Sequence, residues 1–579
     1  MEMRPFAMLL VALWIIGIGR AVAQAVSPQQ DPGQRLYDEQ RARKRREQLE
    51  QSAAPIAVPH GGRSNSGVPL DANVAKVIEH GPTFEIDHID LRGNTVLPRR
   101  EAERIIAPFL HRRLGVRRIN LLLRRLTSAF VRYGYITTRA YLGQQNLASG
   151  KLIVTIVPGT IEAFRINGHA HPDRGIRWAF PTQTGNTLKL ADLEQGVDQI
   201  NRLRRNQAEL RILPGQAPGG SIVELTNRPG KRLYYNLGID DYGSRTTGRT
   251  RLRAGVEADN VLGVEEALTL DFIGSRDSNA VLFSMAAPYG YSTFSYTAFA
   301  SEFQELIGNV ALLYGRTVGQ TLGWNRVVVR SHADLASVDA TLSVRRAERE
   351  VNDIMLAPQR LSVLRVGYDR VHRFATDGGP ASVTFGAGVS RGLTILDASE
   401  DESGIPDDVA HSQFTKLDFA ASVALPLGRF AGLSWLYRGN LTGQWSRVGL
   451  FSSEQMFVGG VGSVRGYAEA AVAGDRGFVL RDELSWRRHG GAAHFEMSGH
   501  ALYLEPYLFL DFGQMQYTGQ QSWQRAAGAG VGIRARLRRR ADHAAGALSA
   551  ELTLGCPLLK LPDSDSGNAV MMATLNWTF

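Results

Sequence analysis

The sequence predicts a mainly β protein: a transmembrane antiparallel β-barrel of about 16 strands, preceded by two small α/β modules and an N-terminal helix. Three observations predict this fold. From residue 231 to residue 579, apolar side chains mostly alternate with polar ones, which is the period of a β-strand. Glycine is abundant, at 61 of 579 residues, as a barrel with many turns requires. Beyond the N-terminus, no apolar run reaches the roughly 18 residues that a membrane-spanning helix needs.

Residues 1–23 predict a signal peptide. Arg4 supplies the initial positive charge, residues 6–18 are apolar, and a small-x-small sequence precedes Gln24. An uncleaved membrane anchor is the alternative, but Arg20 interrupts the apolar run. We therefore expect a mature chain that begins at Gln24 and lies beyond the inner membrane.

Residues 24–52 predict a highly charged helix, since good helix formers dominate and almost no apolar stripe is present. Such a helix cannot pack on a hydrophobic core. The residues alone leave two positions open: free in the periplasm, or inside a polar channel. Residues 53–81 are rich in proline and glycine, which predicts a flexible linker. The basic residues of the predicted helix are Arg41, Arg43, Lys44, Arg45 and Arg46.

Two small α/β modules follow, over residues 82–158 and 159–230. The first predicts a strand at 84–91 with a bulge near Asp87, then two amphipathic helices and two strands. The second repeats this pattern more loosely, with one helix predicted at 190–204. At about 70 to 77 residues each, both are plausible small domains.

The barrel is predicted over residues 231–579. Near residue 535, arginines alternate with aliphatic residues, so one face of that strand is strongly basic. A soluble β-sandwich would bury those charges at a cost of several kcal/mol each, whereas a water-filled lumen accommodates them. At roughly 20 to 22 residues per strand and connection, this segment predicts about 16 strands.

Several function classes find no support in the sequence. No metalloprotease, serine-hydrolase or nucleotide-binding motif is present, so no enzyme activity, cofactor or metal is expected. The single cysteine excludes an internal disulfide, and the 13 histidines lack ligand spacing. The net charge is +10, and the basic runs lie on the N-terminal helix and on a lumen face rather than on a folded basic module, which argues against nucleic-acid binding.

Several different short motifs follow one another along the chain in a defined order. In the first module they include Gly134-Tyr135 and Gly150-Lys151-Leu152. The second module, the start of the barrel and its later part add further motifs. They are Leu193-Glu194-Gln195-Gly196, Asn201-Arg202-Leu203, Asn260-Val261-Leu262-Gly263 and Pro288-Tyr289-Gly290, followed later by Val464-Arg465-Gly466-Tyr467, Asp475-Arg476-Gly477 and Phe509 to Gly513.

In this order the motifs make the chain resemble the outer-membrane transporters of two-partner secretion (TpsB proteins), of the haemolysin-activator and filamentous-haemagglutinin-transporter type. Two places depart from the pattern of that family: Gly143 stands where a proline is expected, and Asp241-Tyr242-Gly243 lacks the asparagine expected after the aspartate. The resemblance implies two POTRA domains before the barrel and a location in the outer membrane of a Gram-negative bacterium, with the POTRA domains in the periplasm. It implies export of one large, unfolded partner protein (TpsA-like), without ATP, after the POTRA domains bind its secretion domain. It also implies that the helix at 24–52 plugs the lumen at rest.

The resemblance further implies that a loop at about 447–477 lies inside the barrel, and that Arg465 pairs with Asp511. Residue chemistry supports this pairing, because the alternation around Asp511 directs it inward and an arginine fork matches a carboxylate. The alternative is a surface arginine that contacts only water. We expect the pair to lock the loop. The loop motif is Val464, Arg465, Gly466 and Tyr467; the strand motif is Phe509, Asp511 and Gly513.

The last residue, Phe579, has two interpretations that can hold together. It is an aromatic residue of the membrane girdle. By the resemblance, it is also the terminal signal that the barrel-assembly machinery reads.

Two alternative functions remain. Relatives with more POTRA domains insert other barrels, and two domains with an N-terminal helix favour secretion over that role. A passive porin has no need for periplasmic modules before residue 231.

Overall fold

The computed structural model describes residues 31–33, 36–37, 69–169, 174–308, 310–331, 333–468, 472–488, 495–497, 500–539, 546–561 and 568–579. The predicted signal peptide and the basic residues Arg41 to Arg46 of the predicted plug helix lie outside this described part. None of the described helices is long and apolar enough to cross a lipid bilayer.

The first module packs two helices against small sheets. Helix α2 (Val116–Arg132) buries one face because Leu122, Leu126 and Phe130 recur at helical spacing. The predicted single strand at 84–91 is instead two strands in separate sheets, because the backbone N–H groups of residues 87 and 88 both donate to the Gly150 carbonyl. The elements are β1 (Phe84–Ile86), β2 (His88–Arg92), α1 (Arg99–Ile106), β3 (Arg112–Leu114), α2 (Val116–Arg132), β4 (Arg139–Tyr141) and β5 (Lys151–Val157), in sheets β2-β5-β4 and β1-β3.

The end of the predicted flexible linker is packed against the first module. Residues 69–81 lie against the first module, with Val74 and Val77 in its core. The Glu79 carboxylate accepts hydrogen bonds from three backbone N–H groups at the start of α2, at 2.8 to 3.2 Å. An acidic side chain at a helix N-terminus satisfies groups that the helix itself leaves free, and this holds the segment in place.

The second module has a helix that the sequence pattern did not predict, α3 (Arg174–Ala179), ahead of the predicted one. The predicted helix at 190–204 is shorter, ending at Asn201. The module comprises β6 (Thr160–Ile166), α3 (Arg174–Ala179), α4 (Leu190–Asn201), β7 (Glu209–Pro214) and β8 (Gly220–Thr226), with sheet order β6-β8-β7.

Sixteen antiparallel strands close into the barrel, which confirms the predicted fold class. Short strands β16 (Ile354–Met355) and β24 (Phe495–Met497) extend two of the hairpins, and β21 (Met456–Val458) and β22 (Val472–Gly474) form a separate two-stranded sheet that is not part of the wall. The strands are β9 (Leu233–Asp240), β10 (Arg251–Asp259), β11 (Ala267–Gly274), β12 (Ser278–Tyr289), β13 (Ser292–Ile307), β14 (Ala311–Arg330), β15 (Asp334–Val351), β16 (Ile354–Met355), β17 (Gln359–Thr376), β18 (Gly379–Leu393), β19 (Thr415–Phe430), β20 (Leu433–Ser446), β21 (Met456–Val458), β22 (Val472–Gly474), β23 (Arg476–Arg488), β24 (Phe495–Met497), β25 (His500–Gln516), β26 (Gln524–Arg539), β27 (Ala547–Pro557) and β28 (Val570–Thr578).

The two faces of the wall differ in chemistry. Aliphatic side chains such as Leu237 and Leu510 are exposed on the outer face, as a lipid-facing surface requires. Inside, Arg365 on β17 forms ion pairs with Asp339 at 2.6 Å and Asp418 at 2.7 Å. In such networks each charged group in the lumen is paired with a group of opposite charge, which offsets the cost of burying it.

The barrel closes where the first strand meets the last. Strands β9 and β28 pair over residues 236–240 and 574–578. Beyond these residues, Tyr235 and Phe579 exchange backbone hydrogen bonds of 2.9 and 3.0 Å, and their rings stack at 5.5 Å. The terminal aromatic residue thus completes the closing seam.

Candidate functional site

The loop between β20 and β23 folds into the lumen and ends in a buried ion pair. The Arg465 guanidinium donates to Asp511 through Nε at 2.8 Å and Nη2 at 2.9 Å, and the Arg465 backbone N–H donates to the same carboxylate at 2.9 Å. Arg465 is 3% exposed and Asp511 is fully buried. The fork geometry fixes both the position and the orientation of the loop tip.

A second carboxylate, Glu483 on β23, completes the site. Its Oε2 lies 3.1 Å from Arg465 Nη1, and both its oxygens accept hydrogen bonds from Arg534 at 2.6 and 2.7 Å. The Arg465 guanidinium also stacks on the ring of Phe509, 4.0 Å from its centroid. Arg465 is therefore held by two acids and one aromatic face.

The rest of the loop motif fits closely against strands β26 and β27. Gly466 has a φ of +107°, and a Cβ there would lie 2.8 Å from the Cys556 backbone. A Cβ at Gly528 would overlap the Arg465 carbonyl oxygen. The Tyr467 hydroxyl donates to the Leu559 carbonyl at 2.6 Å. Glycines on the wall thus permit the backbone approach on which the ion pair depends.

A separate ion pair holds the same loop closer to its start. The Glu454 carboxylate lies 2.8 Å from Lys416 Nζ on β19 and 3.2 Å from Arg345 Nη1 on β15, and all three side chains are nearly buried. Strands β17, β18, β19 and β20 separate β15 from β23. The loop therefore crosses the lumen and is bound to widely separated parts of the wall.

Asp475, at the end of the loop, ties the two ends of the loop together. It accepts hydrogen bonds from the Leu450 backbone N–H at 2.9 Å and from Gln455 Nε2 at 3.0 Å. Its other oxygen accepts from the Thr518 N–H at 2.8 Å, in the connection after β25. Asp475 is 2% exposed, so these bonds are shielded from water.

The few described residues of the predicted plug helix lie inside the barrel. Residues 32–33 and 36–37 are α-helical, and the Ser301 hydroxyl donates to Asp31 at 2.8 Å. Tyr37 lies against Phe299, with 6.5 Å between ring centroids. Leu36 is buried in an apolar cluster of the wall that contains Ile273, Ala280, Leu282 and Phe299.

The second module is bound to the periplasmic turns of the barrel through α4. Gln199 Nε2 donates to the carbonyls of Gly290 at 3.1 Å and Ser292 at 3.2 Å. Arg202, just after α4, donates to carbonyls of the barrel, and burial lowers its pKa to about 10. Arg330 on β14 forms ion pairs with acids of α4. The motifs of this helix therefore serve to attach the module.

Sequence reasoning identified Arg465, Asp511, Phe509 and Gly513, and the structure brings these residues together. It missed Glu483 and Glu454. Glu483 occupies an inward-facing position of β23, so the strand alternation could have predicted that it faces the lumen. The alternation could not predict which residues it contacts there. Among the described residues, no group of three or more His, Cys, Asp or Glu side chains is arranged to hold a metal ion.

Comparisons with known proteins place this architecture in a family. The family model described as haemolysin secretion/activation protein ShlB/FhaC/HecB matches residues 219–535. A POTRA domain of ShlB type matches residues 84–159, and a further POTRA domain matches residues 160–214.

Curated relatives and solved structures agree with this match. The outer membrane transporter CdiB of Escherichia coli O6:K15:H31 (strain 536 / UPEC) is 30% identical over 560 residues, covering 92% of this chain and 87% of that protein. The hemolysin transporter protein ShlB of Serratia marcescens is 30% identical over 436 residues, covering 73% and 74%. The solved structure of CdiB from Escherichia coli superposes with a TM-score of 0.79 at 26% identity, covering 94% of this chain and 97% of that one.

These relatives are transporters and not a known enzyme family. The expected outer-membrane location and the role in export are both confirmed. The chain belongs to the ShlB/FhaC/HecB family of haemolysin secretion/activation proteins, the outer-membrane transporters of two-partner secretion.

Proposed function

We propose that the two POTRA domains capture the secretion domain of one large exoprotein in the periplasm and deliver it, unfolded, to the barrel. No ATP is used, and the chain contributes a conduit and no chemistry of its own. The observation that carries this proposal is the attachment of the second POTRA domain to the barrel turn at residues 290–292, which supports a capture role for this domain at the periplasmic mouth.

Exposed sheet edges support the capture step. Strand β7 pairs only with β8, and β4 pairs only with β5, among the strands that the structure describes. An unpaired edge presents a row of N–H and C=O groups to which an extended client can add as a further strand. Main-chain hydrogen bonding of this kind suits an unfolded client, because it requires little of the client's side chains.

The lumen contents support a gated channel. The loop motif Val464 to Tyr467 is bound to the wall, and Asp31, Leu36 and Tyr37 contact the wall from inside. Both must leave the path for a polypeptide to pass. We propose that Arg465 and Asp511 lock the resting loop, and that the plug helix with its basic residues Arg41 to Arg46 occupies the channel at rest.

Insertion of the barrel is the last part of the proposal. We propose that the barrel-assembly machinery reads Phe579 as a terminal signal. The position of Phe579 supports this, because it ends the strand that closes the seam and its ring is 37% exposed. A residue there is accessible until the seam forms.

Photo-crosslinking in the intact transporter tests the capture step. A photoreactive amino acid at Arg211, an exposed residue of the free edge strand β7, should crosslink to the secretion domain of the exoprotein that the transporter exports. The same probe at Arg100, exposed on α1, is the matched control. Equal crosslinking at both positions would show that the sheet edge is not the binding element.

A further inference from the structure

A short helix of the second POTRA domain presents a basic and aromatic face beside the barrel. In α3 (Arg174–Ala179), the residues Ile176 and Ala179 are buried, whereas Arg174, Arg177 and Trp178 are exposed. Arg174 lies over the Trp178 ring, 5.6 Å from its centroid. The proposed capture, gating and insertion steps leave this face without a role.

Two contacts fix the height of this helix relative to the barrel. The Trp178 ring meets the ring of Tyr289 edge-on, at 5.5 Å and 81°. The Gly290 backbone N–H donates to the Trp178 carbonyl at 2.8 Å. The helix is therefore held against the turn between β12 and β13.

Tyr289 belongs to the lipid-facing side of the wall. It shares the outward parity of Val281 and Phe283 on β12, and all three are exposed. Near the same end of the next strands, Phe294 and Trp324 also point outward and are neighbours in register. Rows of aromatic residues of this kind mark the level where the lipid headgroups meet the hydrocarbon.

Trp178 continues this aromatic row from outside the barrel. A tryptophan has an apolar body and a single N–H donor, which suits the boundary between hydrocarbon and headgroups. Arg174 and Arg177 are then at the level of the phosphates, to which guanidinium groups donate hydrogen bonds. The polarity of the exposed face matches that of the lipid layer beside it.

We propose that α3 is a membrane-contact element: Trp178 enters the interface of the periplasmic leaflet, and Arg174 and Arg177 bind phospholipid phosphates. The second POTRA domain is thus attached both to the barrel turns and to the lipid next to them. This double attachment fixes the orientation of its free edge strand β7 relative to the mouth of the barrel.

Lipid quenching in nanodiscs tests the proposal on the full-length protein. In a Cys556→Ala background, which removes the single cysteine, Arg177→Cys carries a bimane fluorophore. Phospholipids with a nitroxide near the headgroup should quench this label strongly. The matched control is Arg165→Cys, an exposed arginine of β6 in the same domain. It should show no quenching beyond that caused by lipid-free nitroxide.

A second variant separates lipid binding from simple proximity. Adding Arg174→Glu places a negative charge beside the phosphates and should reduce the quenching at position 177. Heat-modifiable migration on gels checks that each barrel is folded. Quenching at position 177 no greater than at position 165 would overturn the proposal. The proposal would also be overturned if the fluorescence of the label at position 177 were not quenched by the nitroxide lipid but changed when the secretion domain of the exoprotein was added, since the face would then bind protein.

Discussion

Exchanging the charges of the loop lock should fail to restore secretion unless Glu483 is changed as well. Asp511→Asn removes the carboxylate to which Arg465 donates three hydrogen bonds. Breaking a buried ion pair costs on the order of 3 to 5 kcal/mol. That cost shifts the equilibrium between the locked and released loop by roughly 100- to 4,000-fold. A loop released without the client no longer couples the opening of the channel to the arrival of the client, so we expect Asp511→Asn and Arg465→Gln each to lose most secretion.

The exchanged pair, Arg465→Asp with Asp511→Arg, meets an obstacle that the structure makes explicit. Glu483 lies 3.1 Å from Arg465, so the new aspartate faces a carboxylate. Because aspartate is shorter than arginine, the two carboxylates would lie roughly 7 Å apart and repel by about 2 kcal/mol at an effective dielectric constant near 20. The exchange alone should therefore remain defective. Adding Glu483→Gln should recover part of the secretion.

The assay is surface delivery of the large exoprotein by cells that express each variant, with Glu483→Gln alone as the matched control. Heat-modifiable migration and outer-membrane fractionation ensure that only inserted barrels are compared. Channel recordings should show larger and more frequent openings for the single variants. Full secretion by the exchanged pair with Glu483 unchanged would refute the role given to Glu483. Normal secretion and conductance in Asp511→Asn would refute the lock itself.

Three further predictions concern the wall and its seam. Glu454→Gln removes the carboxylate that binds two cations of the wall, so channel openings should become more frequent; Glu402→Gln, an exposed acid in the connection between β18 and β19, should leave the recordings unchanged. Deleting Phe579 removes both seam hydrogen bonds and the ring stack, so the fraction of inserted barrel should fall, whereas Phe579→Tyr should insert normally; equal insertion would contradict this. Gly528→Ala places a methyl group against the loop tip and should raise conductance and lower secretion, and Gly143→Ala, where space is open, should do neither.

The structure also shows how far local sequence reasoning reaches in the periplasmic modules. The amphipathic helix α2 was predictable because its apolar residues recur every three or four positions. Helix α3 was not, since six residues are too few to display a period. The predicted strand at 84–91 was divided because a distant carbonyl, that of Gly150, binds both N–H groups at the break.

By itself, the sequence determined which side of the wall the residues of regularly alternating strands face, and therefore that Asp511 points inward. It also determined the order of the modules. Only the tertiary structure decided that Glu483 joins Arg465 and that Glu454 reaches cations on β15 and β19. The physical reason is that facing depends on a local period of two residues. Contacts across the lumen depend instead on the circumference of the closed barrel and on the stagger of its strands, which no local segment contains.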